Sequence, residues 1–205
     1  MKLIKINRLG LDAILLLAGL CAVPAAYAGQ DSGGYFGATV GQASASDYCS
    51  DAGGVAVATC DDKDTSFKVF GGYRFTRNVA VEAAYVDLGK FRASGSFLGS
   101  PFDVNTTLTG VTVQGVGIAP FGNEFSLMGR VGAIFWNLKT SGTVGGFPGS
   151  TSDNGADLAL GVGAQYKFAP SFGVRADLDY YPNLGNSSTG EDNVTSVSIG
   201  LVFLF

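Results

Sequence analysis

The stretch TSFKVFGGYRFTRNVAVEAAYVDLG, Thr65 to Gly89, decides how this chain is read. It holds two alternating strands and the tight turn between them. With Thr76, Arg77 and Asn78 as the loop, Phe75 lies opposite Val79, Tyr73 opposite Val81 and Gly71 opposite Ala83, so that face is apolar or small throughout. The other face sets Lys68, Phe70, Gly72 and Arg74 against Ala80, Glu82, Ala84 and Val86. Side chains alternate with period two along a strand, so a slip of one residue would carry every charge to the apolar face. The register also sets Arg74 diagonally across from Glu82, within reach of long side chains, and an ion pair between them is expected. A soluble sheet buries its apolar face in a core, whereas a membrane barrel turns that face to lipid and keeps its polar face in the lumen.

The remaining segments repeat the pattern. GYFGATVG, from Gly34 to Gly41, places Phe36, Ala38 and Val40 on one side. LTGVTVQGVGIA (Leu108 to Ala119) turns through Gly122, Asn123 and Glu124 into FSLMGRVGAIFW (Phe125 to Trp136), with Phe121 opposite Phe125. That register groups Val111, Val113, Leu127, Val131 and Phe135 on the apolar face, and Thr112, Gln114, Ser126 and Arg130 on the other. DLALGVGAQYKF and FGVRADLDYY flank Ala169, Pro170 and Ser171, with Asp157, Gln165, Lys167, Arg175, Asp177 and Asp179 on one face. The chain ends in NVTSVSIGLVFLF, where Val197, Ile199, Leu201, Phe203 and Phe205 alternate. Polar stretches at about 44–64, 92–103, 141–155 and 183–192 read as long exposed loops.

Eight strands result, joined alternately by long and short connections. That asymmetry fits a bacterial outer-membrane barrel, with long loops outside and short turns in the periplasm. Strand lengths of about 9 to 11 residues suit tilted spans. No Asp, Glu, Lys or Arg falls on the outward face between strand ends, where a charge at mid-bilayer would cost about 2 to 4 kcal/mol. Aromatic residues gather at both ends: Phe36, Tyr73, Phe75, Phe121, Phe125, Phe168, Phe172 and Phe203 near the short turns, and Tyr85, Phe135, Trp136 and Tyr180 near the long loops. Two belts are what two membrane interfaces require. The expected fold is all-β, an eight-stranded antiparallel up-and-down transmembrane β-barrel.

Composition agrees with export and with membrane strands. Residues 1–28 have the layout of a secretory signal: Lys2, Lys5 and Arg8, an apolar run from Ala13 to Val23, then Ala26-Tyr27-Ala28. Cleavage between Ala28 and Gly29 is expected, leaving residues 29–205 as one barrel domain. Losing those three of the 13 basic residues, and Asp12 of the 17 acidic ones, leaves 10 against 16, a net charge of −6. No basic patch marks a nucleic-acid partner. Charged residues are only 15% of the chain, which is rich in glycine (31) and phenylalanine (15), unlike an average soluble domain. No mature segment approaches the roughly 20 apolar residues of a helical span. Cys49 and Cys60 lie in the first long loop, and oxidising conditions after export predict a disulfide between them.

Catalytic chemistry is not expected. The chain has no histidine, which removes Ser-His-Asp systems. Asp177 and Asp179, two apart on one face, have a spacing compatible with acid/base work, but the favoured role is to neutralise lumenal Arg and Lys. The Gly-Val-Gly runs at 115–117 and 161–163 lack the third glycine and the helix of a dinucleotide site; they give room to inward side chains or to close strand packing. No cofactor or metal is expected. The inward set is Lys68, Arg74, Arg130, Lys167 and Arg175 against Glu82, Asp157, Asp177 and Asp179, a near-balanced plug of ion pairs in an interior just wide enough for side chains.

GGYRFTRNVAVEAAYVDLG (Gly71 to Gly89), with its inward Glu82, and SIGLVFLF (Ser198 to Phe205) resemble the small eight-stranded outer-membrane barrels, the OmpA-like transmembrane domain family. The resemblance runs from Gly29 to Phe205. It implies a Gram-negative outer-membrane location and a terminal strand, with Phe203 and Phe205, read by the barrel-assembly machinery. It further implies contact with periplasmic chaperones, outer-membrane lipid, lipopolysaccharide and an unidentified surface ligand. Nothing follows Phe205, so the peptidoglycan-binding domain of full-length members is not expected. The function implied is a non-enzymatic scaffold displaying four surface loops; the alternative is a small-solute channel or ligand-binding barrel.

Overall fold

The computed structural model describes residues 32–45, 56–97, 100–144, 147–186 and 190–205. They form nine antiparallel strands: β1 (Gly33–Ala45), β2 (Ala56–Asp61), β3 (Lys63–Thr76), β4 (Val79–Phe97), β5 (Ser100–Phe121), β6 (Phe125–Val144), β7 (Phe147–Ala169), β8 (Phe172–Asn186) and β9 (Gly190–Leu204). Eight of these close into a ring. Each of β3 to β9 pairs with the next, and β1 bridges β3 and β9. The short β2 lies outside this count, since it pairs only with the upper part of β4. Closure satisfies every strand edge within the wall, which is the condition for strands to cross lipid.

Exposure runs opposite to that of a soluble protein. Val197, Ile199 and Leu201 are 60%, 61% and 60% exposed, while Glu82 and Arg175 are each 1% exposed. Apolar side chains therefore cover the outside, as a bilayer solvent demands, and the charged side chains lie inside beside a buried apolar set that includes Phe70, Leu88, Ile134 and Tyr181. Phe36, Phe172, Phe203 and Phe205 pack together around the short-turn end, with Phe203 5.4 Å from Phe36 and 5.0 Å from Phe172 between ring centroids. Phe121 and Phe125 meet at 6.1 Å across their turn.

The expected register holds from Arg74 inward: Tyr73 faces Val81, Gly72 faces Glu82 and Gly71 faces Ala83. At the turn it differs, because Thr76 rather than Phe75 pairs with Val79 and the ladder shifts between Arg74 and Thr76. Phe75 is the extra residue of a bulge, and the bulge lets its ring stay outward against Tyr73. The β7–β8 turn does the same, shifting between Lys167 and Ala169. The β5–β6 turn keeps Phe121 opposite Phe125, with Gly122 at φ 72° supplying the left-handed residue.

Two expectations are corrected. Trp136 does not join the lipid-facing belt: it is buried and its Nε1–H donates to Asp157. Phe135 and Trp136 are adjacent, so only one can face lipid, and Phe135 does. The stretches at 92–103 and 141–155 are not loops either. β4 pairs with β5 up to Phe97 and Ser100, and β6 pairs with β7 up to Val144 and Phe147. Part of 44–64 becomes β2, and the β8–β9 ladder continues to Asn186 and Gly190. Above the bilayer the outward face meets water instead of lipid, so the apolar half of the sequence alternation is lost while backbone pairing continues.

Candidate functional site

Halfway up the lumen, side chains from five strands converge on one closed ion-pair cluster. Arg175 of β8 grips Glu82 of β4 with both Nη atoms, at 2.6 and 2.9 Å, and turns its Nε to Asp177 at 2.9 Å. Arg130 of β6 donates to Asp177 at 2.6 Å and to Asp179 at 2.9 Å. Lys68 of β3 reaches the second oxygens of the same two aspartates, at 2.8 and 2.6 Å. Tyr35 of β1 adds its hydroxyl to Glu82 at 3.0 Å. Three cations meet three anions, and the Phe70 ring lies 4.2 Å beneath the Arg175 guanidinium.

The positions follow from alternation. Arg175, Asp177 and Asp179 occupy every second place on β8, so all three enter the lumen together. Room for them comes from β7. A Cβ at Gly161 would fall 2.6 Å from Asp179 Oδ1, and one at Gly163 would fall 2.5 Å from Asp177 Oδ1. The run at 161–163 therefore accommodates inward side chains, whereas Gly115 and Gly117 meet nothing closer than 3.8 Å. In a low-dielectric interior such charges are tolerable only when each is paired and hydrogen-bonded.

Polar side chains continue the cluster upward. Ser66 meets Ser196 at 2.9 Å, and Ser198 donates to Thr39 at 3.1 Å. A cavity of ≈ 10 Å³ beside Ser66, Lys68, Asp179 and Ser196 is about the size of one water.

The nine inward charges separate into three groups. Lys68, Glu82, Arg130, Arg175, Asp177 and Asp179 form the cluster. Asp157 stands apart and accepts from Trp136. Arg74 and Lys167 lie nearer the short turns and make no ion pair among the described residues. The expected Arg74–Glu82 pair is thus replaced by Arg175–Glu82. The reason is steric: the Tyr35 ring lies against Gly72, 2.5 Å from where a Cβ would stand, and fills the space between Arg74 and Glu82.

Tyr35 and Phe70 were not singled out as cluster members from sequence. Alternation with Phe36 already points Tyr35 inward, but nothing local names its partner. Cys49, Ala28 and Gly29 lie outside the described residues; Cys60 is described only by its backbone, paired with Ala93. Phe205 donates its N–H to Gly34 at 2.9 Å, and its ring stacks with Phe203 at 6.0 Å.

The chain is similar in fold to several solved barrels. Ail, the attachment invasion locus protein of Yersinia pestis, solved with the heparin analogue sucrose octasulfate, is 20% identical with a TM-score of 0.52, covering 84% of this chain and 99% of Ail. Neisserial surface protein A is 15% identical with a TM-score of 0.54, covering 85% and 99%. OprG of Pseudomonas aeruginosa is 14% identical with a TM-score of 0.51, covering 85% and 97%. A comparison with curated protein sequences finds no match. The family model of the outer membrane protein beta-barrel domain matches residues 13–205. With apolar strands outside, a closed ring of eight and a match over nearly its whole length, this chain is an integral protein of the Gram-negative outer membrane and belongs to the outer membrane protein beta-barrel domain family.

Proposed function

We propose that the barrel is a non-enzymatic anchor, closed to solutes, which holds a β-rich extension above the cell surface to meet a surface ligand. The observation that supports this reading is the ion-pair cluster: its six charged members span the lumen and engage one another, and an eight-stranded wall leaves little space beyond them. Attachment, the role carried in the name of Ail, is the kind of role meant. Beyond Phe135, β6 runs a further nine residues to Val144, about 30 Å at the usual strand rise. Phe147, near the tip of the β6–β7 hairpin, is 81% exposed. Lipopolysaccharide and outer-membrane lipid surround the anchor, and periplasmic chaperones and the assembly machinery deliver it.

Two measurements test this. Protein reconstituted in planar bilayers should show no steady conductance; a reproducible open state would favour the small-solute channel instead. Replacing residues 140–151 with a two-residue turn should leave the barrel folded in the outer membrane and abolish binding to host cells or envelope glycans. Unchanged binding by that variant would remove the extension from the function.

A further inference from the structure

Among the described residues the lumen holds five cations, and only the cluster's three are matched by acids. The other two, Arg74 and Lys167, line a single cavity of ≈ 240 Å³ at the short-turn mouth of the barrel, together with Ser32, Tyr35, Ser171 and Leu204. The Arg74 Nε is buried with no hydrogen-bond partner among the described residues. Arg130 Nε shares that description, but both Nη atoms of Arg130 are held by aspartates, whereas no ion pair engages Arg74 among the described residues. The acid Glu124, whose backbone carbonyl accepts from Lys167, turns its carboxylate away from the mouth to the Tyr166 hydroxyl on the outer surface. Above, Tyr35 bonds Glu82 and separates the mouth from the cluster.

A polar recess with two unneutralised cations, one presenting a buried donor, suits an anion with several acceptor oxygens. A guanidinium fork and an ammonium together match a tetrahedral oxyanion better than a halide, because each donor finds its own oxygen. The overall charge of the chain is −4, so attraction at this end comes from local placement rather than net charge. We infer that the periplasmic mouth is a binding site for a phosphate-class oxyanion, held by Arg74 and Lys167. Two sources carry that chemistry, a soluble phosphate ester of the periplasm and the headgroup of an inner-leaflet phospholipid. The site is independent of whatever the surface extension binds.

The test follows the Arg74 Nε–H resonance of isotopically labelled protein, extracted from outer membranes into an uncharged, phosphate-free detergent. Titration with inorganic phosphate at constant ionic strength should give a saturable shift that chloride does not give. Lys167→Gln should weaken the response about tenfold, as expected for losing one charge-assisted bond. In phospholipid vesicles, a resonance already shifted and insensitive to phosphate identifies the headgroup as occupant; one that still titrates identifies a soluble ester. No response in detergent, or an equal response to chloride, overturns the proposal. So does a response that appears only in Asp31→Asn, because the chain's own carboxylate would then be the counter-ion.

Discussion

Arg175 and Glu82, 93 residues apart in sequence, form a two-pronged pair across the lumen, with bonds of 2.6 and 2.9 Å. Both side chains are essentially unexposed. Removing one partner strands the other in a medium that solvates it poorly. Glu82→Ala should therefore cost about 3 to 5 kcal/mol, read as a lower urea midpoint for unfolding from lipid vesicles. Replacing both residues with methionine should recover much of that loss, because the double change leaves no orphan charge. Arg74→Ala, which breaks no ion pair with Glu82, should shift the midpoint far less.

The outer face gives the opposite expectation. Ile199 is 61% exposed on β9, in the middle of the outward series from Val197 to Phe203. In the bilayer an arginine there should cost about 2 to 4 kcal/mol. Ile199→Arg should fold less stably than Ile199→Leu in vesicles, and equal stability would place that face against something other than lipid.

Cys49 and Cys60 carry an expectation that rests on export alone. Thiol labelling of protein isolated from outer membranes, without reductant, should find neither sulfur free. Quantitative labelling of both would show that the first surface segment has no disulfide.

Phe205 closes the ring of aromatics at the short-turn end, 6.2 Å from Phe36 and 6.0 Å from Phe203. If the terminal strand is the assembly signal, deleting Phe205 should lower the amount of folded, heat-modifiable protein in the outer membrane. The purified variant should still refold in detergent, since β9 keeps its ladder with β1 through Leu204 and with β8 through Phe203. A wild-type level in the outer membrane would reduce Phe205 to an ordinary interfacial aromatic.

Strand identity, facing and turn register were legible in the amino-acid order because they are local, period-two properties. Once Tyr73 and Val81 are apolar and Lys68 and Glu82 are not, each residue's side of the wall follows. Partnership inside the lumen is not local. Arg74 and Arg175 both face inward, and only ring closure and the stagger of β8 against β4 bring Arg175 to Glu82 while the Tyr35 ring blocks Arg74. Trp136 likewise had an inward parity in the sequence, but its aromatic character pointed to the interface; the Asp157 carboxylate across β6 and β7 holds it inside. The surface hairpins were invisible for the reverse reason. Between Leu138 and Thr143 the outward residues Lys139, Ser141 and Thr143 meet water instead of lipid, so no apolar face is written into the residues, although the backbone ladder to β7 runs to its end. A sequence records the solvent that each face meets, and it is the closed tertiary structure that decides which charges meet each other.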